Sequence, residues 1–167
     1  MEKENLELKE HRAEIKAGPH ITINTALFSA LIVFFTLIVT INPQILKEDT
    51  ILSLQLCISI ILLLYSSISR ARIAIYYDSK INKFGTFLYA NGLGCFINVI
   101  GILIFDVVSM KASLTYFISA LLILGYYSYL VIRHYKDNYN AWRYKKDALT
   151  LVIILVLGLF KVLGFYN

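Results

Sequence analysis

Charge is scarce in this sequence. Only 16% of its 167 residues are Asp, Glu, Lys or Arg, where a soluble domain carries about 25%, and mean hydropathy is +0.67. No stretch outside the apolar runs is long enough for a soluble domain, because the longest are a charged leader and two loops of about fifteen residues. Chemistry would therefore take place in a membrane, at its face, or on another protein. The sequence has no convincing internal repeat. It also has no small-residue cleavage pattern, so the first apolar run is expected to act as its own anchor.

Catalytic signatures are missing too. The sequence contains no HExxH, GxSxG, CxxC or phosphate-cradling glycine loop, and only three histidines. Metal binding and acid–base catalysis need several ligands or proton carriers converging at one depth. The nearest approach is His20 and His134 at one boundary, with Asp78, Asp137 and Asp147 at similar depth; solvated loop groups are the simpler reading. A lipid-acting interfacial enzyme is thus a distant third functional reading, and no catalytic residue, metal site or cofactor is expected. The two cysteines, Cys57 and Cys95, fall at depths about 9 Å apart along a helix, which argues against a disulfide.

What the chain has is long apolar runs. Five segments come close to or exceed the roughly 20 residues that cross a bilayer: Ile21–Ile41, Ile51–Ser69, Phe84–Val108, Ala112–Ile132 and Ala148–Phe165. Residues 1–19 form a charged segment ending in a Gly18-Pro19 break, and residues 20–167 form the membrane domain. Lipid offers no partner to an open backbone, and the alternation of a barrel strand is absent, so the spans are predicted to be helices. The fold class is all-α integral membrane protein with about five transmembrane helices.

The basic residues set the orientation, because Lys and Arg are retained on the cytoplasmic side. Lys3, Lys9, Arg12 and Lys16 precede the first span. Arg70, Arg72, Lys80 and Lys83 follow the second, and Arg133, Lys136, Arg143, Lys145 and Lys146 follow the fourth. The remaining connections carry only Lys47 and Lys111. This pattern predicts a cytoplasmic N-terminus, an external C-terminus and a multi-pass protein of the plasma membrane. The inner face, with Arg70, Arg72, Arg133, Lys136, Trp142, Arg143, Lys145 and Lys146, suits anionic inner-leaflet lipids, at about 1 kcal/mol per basic residue, or a soluble cytoplasmic protein. Topology already explains the basic excess, which leaves little reason to invoke nucleic acid.

Polar residues inside spans are costly, and they usually face other helices or water. Thr22, Thr25, Ser29, Thr36 and Thr40 share a face of the first span; Gln55, Ser59, Ser66 and Arg70 share one of the second. In the third, Asn91 and Asn98 lie seven apart, as do Gly94 and Gly101. Such stripes either pack helices or line a water-filled path. Asp106 and Lys161 both belong to the outer half, where Lys161 is expected to snorkel outward or pair with Asp106. The leading functional expectation is a non-catalytic, channel- or pore-like component of a homo-oligomer, its path lined by Gln55, Asn91 and Asn98. The alternative is a membrane-anchored subunit that recruits a soluble partner. The size and layout are of the sort seen among small channel subunits, immunity proteins and membrane effectors of defence systems, a likeness of shape only.

Overall fold

The structure, a computed structural model, describes the backbone of residues 2–75, 78–134 and 141–165, and the side chains of 21–40, 42–73, 78–131, 133 and 145–165. Among these residues every regular element is helical. Helix α1 is Glu2–Ile41, α2 the single turn Gln44–Glu48, α3 Thr50–Ile75, α4 Ser79–Val107 and α5 Met110–His134. The last stretch is α6 (Ala141–Ile153), a π-helical segment (Ile154–Leu159) and α7 (Phe160–Val162).

Four of these helices contain segments long and apolar enough to cross a membrane: Ile21–Thr40, Thr50–Ile73, Ser79–Val107 and Met110–Val131. They coincide with the first four predicted spans. The fifth predicted span is not one helix of that length, because α6 has 13 residues and then widens into the π-helical segment. A second departure lies in α1, which continues through Gly18 and Pro19 where the sequence predicts a break. Proline already holds a helical φ and withdraws only its own N–H, so an otherwise complete ladder can run past it as a kink.

The helix starts are written locally. Asp49, just before α3, accepts the Leu52 N–H at 2.9 Å. Asp78 caps α4 through the Lys80 N–H at 2.6 Å, and Ser109 accepts the Ala112 N–H before α5 at 3.2 Å. Each is a short acceptor satisfying an otherwise orphaned first-turn donor. At the far end, Gly164 takes φ 76°. Its N–H bonds to Lys161 O and that of Phe165 bonds to Phe160 O, while the rings of Phe160 and Phe165 stand 5.1 Å apart. This is the glycine-terminated stop in which a left-handed residue lets the chain fold back on its last carbonyls.

Helix α4 is the hub: more than half of its apolar stretch is buried, whereas almost none of that of α5 is. One cluster joins Leu31 of α1, Leu52, Leu56 and Leu63 of α3, and Phe96, Val99 and Ile102 of α4. A second gathers Phe117 of α5, Ile154 of the π-helical segment and Val162 of α7. In lipid, apolar side chains gain little by meeting each other rather than acyl chains, so close backbone approach and polar bonds must hold the helices together.

Candidate functional site

The stripe on α3 closes onto its neighbours along its whole length. Ser59 Oγ donates to the carbonyl of Gly92 and Ser66 Oγ to that of Gly85, both at 2.9 Å. Ser66 also accepts from Asn24 Nδ2 of α1 at 2.9 Å. Nearer the start of α3, Gln55 Nε2 donates to the Leu157 carbonyl at 2.9 Å. Toward its other end Arg70 donates to Asn82 Oδ1 at 2.5 Å and to Thr86 Oγ1 at 2.6 Å. The sequence places Arg70 both in this stripe and on the basic inner face; its guanidinium donates to α4, and the residue is only 9% exposed.

Glycines make this approach possible. A methyl group at Gly85 would sit 2.9 Å from the Ser69 Cβ, and one at Gly92 would sit 3.0 Å from the Leu63 Cγ. Their seven-residue interval puts both on one face of α4. Gly94 and Gly101 do the same on the opposite side, against Thr150 of α6 and the Phe117 ring of α5. Ser113 of α5 fixes the second contact by donating to the Gly101 carbonyl at 2.7 Å.

Asn98 joins three helical stretches. Its Nδ2 donates to Gln55 Oε1 at 2.6 Å and to the Ile153 carbonyl at 3.1 Å. With Gln55 on Leu157, two carbonyls of the widened last helix are thus held by amides from α3 and α4. A π-helical turn bonds i to i−5 and leaves ladder acceptors open to such partners. Asn98 Oδ1 has no hydrogen-bond partner. It lies against the backbone of Gly158, where an added Cβ would approach it to 2.2 Å, leaving a weak C–H···O contact as its compensation.

Asn91 does not join this network. Its Nδ2 donates to Phe87 O of its own helix at 2.8 Å, and its Oδ1 is buried without a partner. Gln55, Ser59 and Asn98 are 0–1% exposed, whereas a path lined by them through one chain would leave them open to water. The hydroxyl face of α1 is different: Thr22, Thr25, Ser29, Thr36 and Thr40 are all exposed. Thr36 and Thr40 bond back to Ile32 O and Thr36 O, one turn earlier.

At the other end of α3, Lys161 Nζ lies 3.4 Å from Asp49 Oδ2, with both side chains largely buried. Asp106, the partner suggested by the sequence, is exposed near the end of α4. Of the basic face, Arg72, Arg133 and Lys145 are exposed, and Lys146 pairs with Asp147 at 2.8 Å. Lys136, and the side chains of Trp142 and Arg143, lie outside the described residues, as do those of His20, His134 and Asp137. Among the described residues no group of His, Cys, Asp and Glu is arranged to hold a metal, and both cysteines are free thiols.

No family model, curated protein or solved structure matches the chain. Sequence reasoning found the α3 stripe, Asn98, Gly94 and Gly101. It missed Asn24, Gly85, Gly92, Ser113 and Gly158; the only signal available for Gly85 and Gly92 was their own seven-residue spacing.

Proposed function

We propose that the chain is a five-span, non-catalytic subunit of the plasma membrane that works by association and recruits a soluble cytoplasmic partner to its basic inner face. The observation that carries this reading is the Gln55–Asn98 bond with its two carbonyl partners on the last helix. The groups best suited to line a conduit are used to join helices, which leaves the exposed surfaces as the place of function. Arg72, Arg133 and Lys145 are free to meet anionic lipid or an acidic protein surface.

The fifth crossing is supplied by α6, the π-helical segment and α7 in series, about 22 residues and roughly 30 Å of helix. Two contacts support it. Thr150 packs at Gly94 midway along α4, and Lys161 reaches Asp49 at the start of α3. This stretch therefore runs parallel to α4 from one end of the bundle to the other. The distribution of basic residues supports an inner N-terminus and an outer C-terminus.

Cysteine labelling tests the topology. With Cys57 and Cys95 replaced by Ser, a membrane-impermeant maleimide on whole cells should label Asn167→Cys and leave Glu2→Cys untouched. Equal shielding of both would leave four spans and remove the fifth. For recruitment, Arg143, Lys145 and Lys146 changed together to Ala should abolish in-cell cross-linking to a soluble protein identified by mass spectrometry, with unchanged membrane levels.

The exposed hydroxyl face of α1 favours a second reading, a pore assembled around the axis of a homo-oligomer. Conduction of that kind predicts ion flux in liposomes that Thr25→Leu with Ser29→Leu alters. The recruiting subunit predicts no flux in either protein.

A further inference from the structure

Arg70 is a cation set in a nearly closed environment without an opposite charge. It is 9% exposed, and its two hydrogen-bond acceptors, Asn82 Oδ1 and Thr86 Oγ1, are neutral. Thr86 is held as an acceptor because its own hydroxyl donates to Asn82 O at 2.8 Å. Among the described residues no carboxylate lies within ion-pair distance of it. Asp78 caps α4, Asp147 pairs with Lys146, and Asp49 and Asp106 belong to the other end of the bundle. A guanidinium offers five N–H donors, and neutral acceptors do not balance its charge. Desolvating a cation is costly unless an anion completes the site.

We propose that Arg70 binds the phosphate of an anionic membrane phospholipid at the end of the bundle where α3 finishes and α4 begins. The planar fork of Arg matches two phosphate oxygens at once, which a lysine cannot reproduce. Two further cations, Arg72 on α3 and Lys83 next to Asn82 on α4, are exposed nearby and draw an anion to this end. Depth selects a lipid over a dissolved anion. Arg70 stands three residues inside the end of the apolar stretch Thr50–Ile73, near the level of headgroup phosphates, and the exposed ring of Phe84 adjoins Lys83 on the acyl side. This inference rests on α3 spanning the bilayer, and not on the number of spans or their sidedness.

The competing partner is a glutamate of α1. That helix runs antiparallel beside α3, and the Asn24–Ser66 bond puts residue 20 level with Arg70. The first acid beyond it, Glu14, is six residues away, about 9 Å along the axis.

The test uses the full chain purified in neutral detergent, with thermal unfolding followed as phosphatidylglycerol is added. The wild type should be stabilised saturably, Arg70→Met should weaken the apparent affinity about tenfold or more, and Arg70→Lys should fall between them. Glu14→Gln should respond like the wild type. An identical lipid response in Arg70→Met overturns the proposal. So does equal stabilisation by inorganic phosphate at the same concentration, which assigns a free anion, or a lipid response in Glu14→Gln about tenfold tighter than in the wild type, which assigns Glu14 as the partner of Arg70. If Arg70→Met does not fold, native mass spectrometry of Arg70→Lys decides: retained lipid equal to wild type refutes the bidentate site. The maleimide labelling above fails separately if the span assignment is wrong, so the two failures are distinguishable.

Discussion

Replacing Gly101 by Ala would place a methyl carbon 2.3 Å from Cζ and 2.4 Å from Cε2 of Phe117. That ring is fully buried in the contact between α4 and α5, and the Ser113 hydroxyl bonded to Gly101 O holds the two backbones together. To restore an ordinary van der Waals distance the helices must separate by about 1 Å or the ring must leave its rotamer. Overpacking of this kind costs about 1–3 kcal/mol. It is offset by the 0.5–1 kcal/mol that alanine gains over glycine in a helix, so a net loss of about 1–2 kcal/mol is expected. Gly125 on α5 is the internal control, because a Cβ there meets nothing within 4 Å; Gly125→Ala should stabilise by about 0.5–1 kcal/mol. The assay is reversible unfolding of the detergent-solubilised protein, with Phe117→Leu added to make room for the new methyl. Gly101→Ala should be destabilising alone and much less so beside Phe117→Leu, giving a coupling energy of about 1 kcal/mol. Equal effects of Gly101→Ala and Gly125→Ala would refute the close packing of α4 on α5.

Asn98→Leu and Gln55→Leu should each lower stability by about 1–2 kcal/mol and the double variant by less than the sum, measured by a double-mutant cycle, since both remove the same bond. At the start of α3 Asp49→Ala should cost about 1 kcal/mol more than Lys161→Met, because Asp49 caps α3 as well as pairing with Lys161; equal melting-point losses would count against the cap. Asp106→Asn should leave the melting point within the scatter, about 0.5 kcal/mol, as Asp106 is exposed and Lys161 is engaged elsewhere. Asp78→Ala should lower stability by about 1 kcal/mol through loss of the α4 cap, with Asp78→Asn retaining most of it.

That the chain is helical and suited to lipid, and where four of its apolar helices run, can be read from the residues alone. Both follow from local arithmetic, since an uninterrupted apolar run of bilayer length has no other satisfied backbone. The shared face of Gln55, Ser59, Ser66 and Arg70 can be read in the same way, because helical periodicity fixes it before any partner is chosen. What that face meets depends on how the helices pack. Glycines at 85 and 92 matter only once α3 lies across them, and Asn98 differs from Asn91 only because Gln55 and the last helix lie within its reach. The pairing of Lys161 with Asp49 rather than Asp106 likewise depends on how α7 is aimed. Least legible was the π-helical segment Ile154–Leu159. Its apolar residues would fit an ordinary α-helix equally well, and its widened turn is held by amides that arrive from elsewhere in the chain.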